Sequence, residues 1–150
     1  MRLRMATEYD IEFMLYVQEK LNKNYVKKHL GKWDLIFQKF FLEKSIQREK
    51  YNIICLKEEK IGIFSWNEDE KKIYLHELLI LSKYQKNKIG SRILDMLIKR
   101  AEYFNKELIA HVFKSNIKAL EFYKKKNFKI VEESRSHYKI LYKKRGSRLE

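Results

Sequence analysis

The order of elements around residues 73–113 constrains the fold more than any other feature of this sequence. Residues 73–81 form a nearly continuous apolar segment, which is typical of a strand buried on both faces. Residues 89–104 then repeat apolar side chains at the helical period, and residues 108–113 form another short apolar run. The order strand, helix, strand predicts a right-handed crossover and a parallel pair of strands in the sheet.

The same periodicities predict elements on either side of this crossover. Strands are predicted at residues 2–6, 51–56, 61–66, 128–131 and 138–142. One helix begins after Thr7 or Asp10, either of which suits its cap, and Gln18 interrupts its apolar stripe. Beyond Gly31, a second helix spans residues 33–44, and its apolar positions are Leu35, Ile36, Phe40 and Phe41. A further helix spans residues 117–126.

Together these elements predict a mixed α/β (α+β) fold. Its sheet is mostly antiparallel, with about seven strands flanked by about four helices. The chain has 150 residues, of which 45% are hydrophobic and 14% aromatic, so it is long enough for one domain with a core and too rich in aromatics to be disordered. We expect a single domain at residues 1–142. Residues 143–150 differ in composition and are interpreted as a C-terminal tail, part of it vector-derived.

Cysteine usage and the amino terminus indicate a cytoplasmic protein. Cys55 is the single cysteine, so no internal disulfide is possible, and the first residues lack the apolar core of a signal peptide. We expect Cys55 to be a small buried hydrophobe rather than a nucleophile. Every apolar run is too short to span a bilayer, so no membrane association is expected.

The formal net charge of +14 favours polyanionic ligands, among them nucleic acid, anionic lipid or a phosphate-rich cofactor. Abundant Lys, Ile and Asn with no Pro is also what an AT-rich coding sequence produces, so a solvated basic surface without function is the competing explanation. No zinc-finger, basic-zipper or RNP pattern is present. Nucleic-acid binding is therefore kept as an alternative function and not as the main prediction.

The junction between the apolar strand and the next helix has the features of a phosphate site. A short polar loop leads to Gly90 at the start of the helix, where backbone N–H groups lack intrahelical partners. Lys83, Lys86, Lys88 and Arg92 add positive charge around it. An ordinary strand-to-helix turn with solvated lysines explains the same spacing equally well.

A second group of polar residues surrounds the short helix at residues 117–126. Ser115 or Asn116 suits its cap, and Asn127 suits a left-handed residue at its carboxyl end. Tyr123 follows Asn116 by seven residues, which places both on one face. Such a pair either lines a cleft or consists of a cap and a packed tyrosine.

These two segments resemble the GNAT superfamily of N-acetyltransferases. Its acyl-CoA loop reads Gln/Arg-x-x-Gly-x-Gly/Ala, and this chain has residues 85–90 with Lys88 at the first glycine position. Its later helix reads Asn-x-x-Ala-x-x-Phe-Tyr-x-Lys-x-Gly-Phe, which residues 116–128 match with Asn127 in place of the glycine. The element order agrees with the family's fold, so the resemblance covers residues 1–142.

The resemblance implies acetyl-CoA as co-substrate and no metal. The backbone of Leu78 and Ile80, at a splay in the central strand, would hold the pantetheine arm, with the Ile80 N–H directed at the thioester oxygen. Asn116 would contact the pantetheine amides, and Gly90 would let the main chain approach the pyrophosphate closely. The residues that would cradle the pyrophosphate are Gln85, Lys86, Asn87, Lys88, Ile89, Gly90 and Ser91.

Two catalytic residues follow from the same resemblance. Tyr123 matches the family's general acid, which hydrogen-bonds the departing sulfur. Glu77 matches the acidic residue that accepts the ammonium proton directly or through water, although a buried carboxylate paired with a lysine is the competing explanation. His76 points to the opposite strand face by the period of two, and His137 is a weaker alternative base.

The acceptor side is predicted only in outline. Trp33, Asp34, Trp66 and Tyr138 are the plausible lining, and a carboxylate beside indoles suits a small cationic amine. Anchoring of the helix pair by Trp33 is the simpler explanation for that residue. Residues 31–34 and 136–139 also resemble a bacterial subgroup with a Trp-Asp pair and a closing His-Tyr, which implies no particular acceptor.

The sequence thus predicts an acetyl-CoA-dependent N-acetyltransferase that acts on a primary amine of a small molecule or peptide. A catalytically weak acyl-CoA-binding module is the alternative within the same family. A monomer and a homodimer are both consistent with the sequence.

Overall fold

The computed structural model describes residues 1–48 and 50–144. Four α-helices are present in this part of the chain: α1 (Ile11–Leu30), α2 (Leu35–Gln47), α3 (Ile89–Phe104) and α4 (Ile117–Lys125). Seven strands accompany them: β1 (Arg2–Met5), β2 (Tyr51–Leu56), β3 (Glu59–Glu68), β4 (Lys72–Ile80), β5 (Glu107–Phe113), β6 (Phe128–Glu133) and β7 (His137–Tyr142). Short 3-10 turns lie at Glu8–Asp10 and Ser82–Tyr84.

The seven strands form one sheet in the order β1-β2-β3-β4-β5-β7-β6. The pairing of β4 with β5 is parallel, from Lys72 opposite Glu107 to Leu75 opposite Ala110. The pairs β1–β2, β2–β3, β5–β7 and β6–β7 are antiparallel. The prediction of a mixed, mostly antiparallel sheet of about seven strands with about four helices is confirmed.

Most predicted boundaries agree with the structure, and the differences have local causes. Helix α2 begins at Leu35 rather than at residue 33, because the Asp34 carboxylate accepts the Phe37 N–H at 3.0 Å and caps the helix. Asp10 occupies the cap position of α1 but makes no cap hydrogen bond with its side chain. Gly31 ends α1 with a φ of 93°, as expected for the residue between the two helices.

Contacts group the chain into two compact units, and the first consists of Met1–Trp66 and His76–Ile93. Its core is built from α1, α2, β2 and β3 and includes Cys55, which is 3% exposed as a buried hydrophobe. Gly62 is required in β3, because a Cβ there would lie 2.2 Å from the backbone oxygen of Leu79. The first unit also contains the end of β4, with Glu77 and Leu78.

The second unit consists of Asn67–Leu75 and residues 94–144. Its buried residues come from α3, α4 and β5–β7, and an aromatic series runs through Phe122, Tyr123, Phe128 and Tyr142 with ring centroids 5.2 to 5.7 Å apart. The single domain at residues 1–142 stays a prediction.

The apolar positions that the sequence indicated for helix α2 are mostly exposed. Leu35, Ile36, Phe40 and Phe41 are 54% to 83% exposed, and Leu42 is the buried residue of the helix. Its interior contact therefore falls on a face that the apolar periodicity did not indicate.

Two further sequence predictions concern membrane helices and the C-terminal tail. No helix within residues 1–48 and 50–144 is both long and apolar enough to cross a membrane. The predicted tail at residues 143–150 lies outside the described residues from position 145 onward.

Candidate active site

A carboxylate held by three uncharged side chains is the main polar cluster of the first unit. Tyr51 Oη donates to Glu77 Oε1 at 2.8 Å, and Asn22 Nδ2 donates to Oε2 at 3.2 Å. Gln18 Nε2 lies 3.0 Å from Oε1 and 3.3 Å from Oε2. Within the described residues Glu77 forms no salt bridge, so its predicted competing explanation, a carboxylate paired with a lysine, is wrong.

Three separate elements bring this cluster together. Gln18 and Asn22 are one helical turn apart on α1, which places both amides on the same face. Tyr51 is the first residue of β2, and Glu77 lies in β4. Glu77 is half-buried, whereas its neighbour His76 is exposed, as the alternation of side chains along a strand predicts.

The environment acts on the protonation of Glu77 and Tyr51. Burial raises the pKa of Glu77, and the hydrogen bonds from Gln18, Tyr51 and Asn22 oppose that rise by stabilising the carboxylate. Burial, together with the nearby charge of Glu77, raises the pKa of Tyr51 well above its ordinary value. The phenol therefore remains a proton donor throughout the neutral range.

The amide of Gln18 is only partly satisfied. The side chain is 6% exposed, and its Nε2 donates to Glu77. Its Oε1 is buried and has no hydrogen-bond partner in the described part of the chain. An unpaired buried acceptor costs about 1–3 kcal/mol, so a donor group arriving beside Glu77 would stabilise this arrangement.

Strand β4 continues past its parallel partner. The last β4 residue opposite β5 is Leu75, and the strand runs on to Ile80. Leu78 and Ile80, the predicted pantetheine contacts, lie in this extension. The Ile80 carbonyl accepts the Gln85 side-chain N–H at 2.7 Å.

The loop between β4 and α3 has the predicted form. After the turn at Ser82–Tyr84, Lys86 and Lys88 adopt φ values of 69° and 61°, and α3 begins at Ile89. The first backbone N–H groups of a helix have no intrahelical acceptors, so this end can bind an anion. The N–H of Arg92 is already used by the Lys88 carbonyl at 3.0 Å.

Lys88 is the main departure from the loop pattern, and the structure gives it a backbone conformation that suits glycine. A φ of 61° lies in the left-handed region, which costs a residue with a side chain about 1 kcal/mol. The Lys88 side chain is exposed. Lys88 therefore retains the glycine-like turn and adds a cation to it.

The second unit contains the other predicted catalytic residue. Asn116 caps α4, since its Oδ1 accepts the Ala119 N–H at 3.1 Å. Tyr123 is 9% exposed and packs edge-on against Phe122 and Phe128, each with ring centroids 5.2 Å away. Burial raises the pKa of Tyr123, and its hydroxyl makes no hydrogen bond to any described residue.

Asn127 also follows its prediction, with a φ of 68° directly after α4. Its backbone N–H donates to the Lys124 carbonyl at 3.0 Å, and its side chain donates to the Lys143 carbonyl. The turn between α4 and β6 is therefore closed without a glycine, because asparagine tolerates the left-handed conformation.

The predicted acceptor residues come from both compact units. Trp33 and Asp34 precede α2 in the first unit, and Trp66 is half-buried in β3. Tyr138 belongs to β7 of the second unit, where Lys114 Nζ lies 5.4 Å from its ring centroid. The Asp34 carboxylate is engaged in capping α2, which reduces its availability to a cationic ligand.

The alternative base His137 has a different setting. Its Nδ1 lies 2.7 Å from Ser136 Oγ, and its ring stacks on Phe113 with centroids 4.1 Å apart. No group of three or more His, Cys, Asp or Glu side chains is placed to hold a metal ion in the described residues.

The sequence reasoning missed Gln18, Asn22 and Tyr51. One signal was present, because Gln18 breaks an otherwise apolar helix stripe. A polar residue at a core position requires a buried partner, and Glu77 is that partner.

Comparisons with known proteins agree with the fold. A model of the acetyltransferase (GNAT) family matches residues 14–128. No curated protein sequence matches this chain.

Several solved structures are similar to it over almost the entire length. PaiA N-acetyltransferase from Thermoplasma acidophilum, in complex with coenzyme A, has 19% identity and a TM-score of 0.72 over 95% of this chain and 98% of its own. Arabidopsis thaliana Naa50, in complex with the bisubstrate analogue CoA-Ac-MVNAL, has 18% identity and a TM-score of 0.70 over 95% and 97%. An acetyltransferase from Thermus thermophilus has 17% identity and a TM-score of 0.74 over 93% and 94%. At these identities the likeness shows a shared fold.

Proposed function

Because this chain belongs to the GNAT family of acetyltransferases, we propose that it transfers the acetyl group of acetyl-CoA directly to a primary amine of a small molecule or peptide. Family membership makes the protein an acetyltransferase with acetyl-CoA as its co-substrate. The observation that carries the finer proposal is the Glu77 carboxylate, which is withdrawn from water and hydrogen-bonded by uncharged donors without a counter-cation. Such a carboxylate is suited to receive a proton from an ammonium group.

The residues present fit acetyl-CoA. Leu78 and Ile80 lie where β4 has passed the end of its pairing with β5, so their backbone groups are suited to the amides of the pantetheine arm. The loop Gln85–Ser91 and the start of α3 combine backbone N–H groups with lysine side chains, which suits a pyrophosphate. Acetyl-CoA supplies an acetyl group activated as a thioester. Asn116 retains its side-chain N–H₂ for the cofactor while its Oδ1 caps α4.

Glu77 prepares the nucleophile in this proposal. An amine in water at neutral pH is mostly protonated and has no lone pair for attack. The Glu77 carboxylate accepts one proton from the ammonium group and becomes a carboxylic acid. The freed nitrogen lone pair then forms the N–C bond with the acetyl carbon as the C–S bond breaks, and the electron pair leaves with sulfur. The nitrogen loses a second proton as the amide forms, and this proton neutralises the departing thiolate, so the products are the N-acetyl amide and free coenzyme A.

Tyr123 and Ile80 act on the charges that this reaction creates. The Ile80 N–H donates to the carbonyl oxygen as negative charge develops there. The Tyr123 hydroxyl, kept protonated by its burial, donates a hydrogen bond to the departing sulfur. Its freedom from other described partners leaves this hydrogen available.

The acceptor lining is proposed as Trp33, Asp34, Trp66 and Tyr138. Aromatic faces suit an aliphatic amine or its cation. The cap bond of Asp34 makes it a weaker cation ligand than Glu77, which has no structural cation of its own. We therefore assign the recognition of the ammonium charge to Glu77.

The test is the pH profile of Glu77→Gln against wild type. Release of free coenzyme A is measured from pH 6 to pH 10 with acetyl-CoA and three primary amines: an amino acid, a polyamine and a peptide amino terminus. We expect a loss of about 100-fold at pH 7 and a much smaller loss at pH 10, where the amine loses its proton without help. A variant with the profile of wild type contradicts the role of Glu77.

A further inference from the structure

We propose that Tyr51, together with Gln18 and Asn22, is a positioning group that keeps the Glu77 carboxylate ionised and in one orientation for deprotonating the acceptor. This inference rests on the proposed role of Glu77. None of the three residues belongs to the loop or helix patterns that characterise the family resemblance. They act through Glu77 and not on the reacting atoms.

The hydrogen-bond geometry restricts the carboxylate strongly. Oε1 accepts from Gln18 and Tyr51, and Oε2 accepts from Asn22 and Gln18. Donors from α1 and β2 therefore bind both oxygens, and rotation of the carboxylate would break at least one bond on each side. A base held in this way meets the incoming proton without reorganisation.

The charges around Glu77 are equally informative. Gln18 and Asn22 on α1 are neutral, and Tyr51 on β2 is the titratable group that faces the carboxylate. No lysine, arginine or histidine pairs with Glu77 in the described residues, and its neighbour His76 is on the exposed face. Neutral donors stabilise the anion without supplying a positive charge, so the acceptor's ammonium group remains the cation that this cluster lacks.

Tyr51 makes the shortest of the hydrogen bonds to Glu77, at 2.8 Å, and a phenol is a stronger donor than an amide. Its raised pKa means that it keeps its proton at any pH where the enzyme would work. Its hydrogen bond opposes the effect of burial on Glu77.

Gln18 distinguishes this cluster from buried polar groups that only stabilise a core. Buried polar groups that serve stability alone are nearly always fully paired. Here Gln18 Oε1 is buried without a partner, and the carboxylate beside it has no counter-charge. An ammonium group would supply an N–H donor for Gln18 Oε1 and a positive charge for the Glu77 carboxylate. Both groups therefore favour a cationic amine as the ligand.

The experiment measures the titration of Glu77 with and without the Tyr51 hydroxyl. The carboxyl carbon of Glu77 is followed by NMR of protein labelled with ¹³C-glutamate from pH 4 to pH 9, and its signal is assigned by its absence in Glu77→Gln. Tyr51→Phe should raise the pKa of Glu77 by about one pH unit, since a hydrogen bond to a charged group is removed. Asn22→Ala should shift it in the same direction by less, because its bond is longer at 3.2 Å.

Tyr16→Phe is the matched control, because Tyr16 lies on α1 but is 50% exposed and outside the cluster. It should leave the titration unchanged. If Tyr51→Phe fails to fold, Asn22→Ala carries the test alone, since it removes a donor from a half-exposed helix position. Unchanged titration in the folded variants overturns the proposal.

The same variants are assayed for kcat/KM against pH with the best amine of the panel. Tyr51→Phe should move the acidic limb to higher pH by the same amount while the plateau stays near wild type. A uniform loss at every pH would mean a merely structural role and would overturn the proposal. A wild-type profile in Glu77→Gln would instead refute the base assignment, and the titration would still decide whether Tyr51 controls the carboxylate.

Discussion

Asp10 and Glu77 are both carboxylates of the first compact unit that are withdrawn from solvent, and their partners differ in charge. Asp10 is 1% exposed and binds two cations, with Arg4 Nη2 at 2.8 Å and Lys60 Nζ at 2.7 Å from Oδ1. It also accepts the Thr7 backbone N–H at 2.8 Å. Glu77 is bound by two amides and a phenol.

The difference appears in the protonation of the two groups. The hydrogen bonds from Arg4, aided by Lys60, hold the pKa of Asp10 well below its ordinary value. Burial instead raises the pKa of Glu77, because no cation offsets the cost of desolvation. Asp10 is a permanent anion that joins β1, β3 and the start of α1, whereas Glu77 is poised to take a proton. A buried carboxylate thus indicates a reactive site when its charge is left uncompensated.

The largest effect that tests this comparison is the stability of Asp10→Asn. Loss of the carboxylate leaves Arg4 and Lys60 without their partner, and we expect unfolding free energy to fall by about 1–3 kcal/mol. Glu77→Gln should stay within about 1 kcal/mol of wild type, since it removes an uncompensated buried charge. Urea unfolding at pH 7 measures both. Equal losses of unfolding free energy in the two variants would contradict the proposed difference between Asp10 and Glu77.

The second prediction concerns acidification. Because the pKa of Asp10 is lowered on folding, its stabilising contribution is complete above the unfolded value near 4 and is lost as pH falls below it. The difference in unfolding free energy between wild type and Asp10→Asn should therefore shrink between pH 5 and pH 3. For Glu77 the sign is opposite, since a raised pKa means that protonation favours the folded state. Urea midpoints at both pH values, compared across the three proteins, reveal whether the trends diverge.

The smallest effect is expected at Lys60. Lys60→Met removes one of the two cations of Asp10 and leaves the paired contacts of Arg4 in place. The lysine side chain is 37% exposed, so the loss should be about 0.5–1 kcal/mol. Lys99→Met, at an exposed position of α3, serves as the control and should be neutral. A loss as large as that of Asp10→Asn would show that Arg4 contributes little.

Much of the fold was predictable because local patterns specify it. The bounds of α3 and β2 agree with the prediction, since both segments have strong periodicity and polar flanks. The burial of α2 was not predictable in the same way. Its apolar residues occupy nearly every side of the helix, and periodicity then no longer identifies which face is buried.

The candidate site shows the same division. Loop residues 85–91 and the helix with Asn116 and Tyr123 are contiguous in sequence, so their patterns could be recognised without coordinates. The partners of Glu77 lie 26 to 59 positions away from it. No spacing rule connects such distant positions in a single sequence.

The sequence by itself determined the alternation of elements, the left-handed turn at Asn127 and the family to which the chain belongs, because hydrophobic period and backbone preference act over a few neighbouring residues. Only the tertiary structure decided that Gln18, Asn22 and Tyr51 surround Glu77 and that Asp10 lies between two cations. Electrostatic surroundings depend on distances in space, and a low-dielectric interior makes those distances decisive for whether a carboxylate stabilises the fold or accepts a proton.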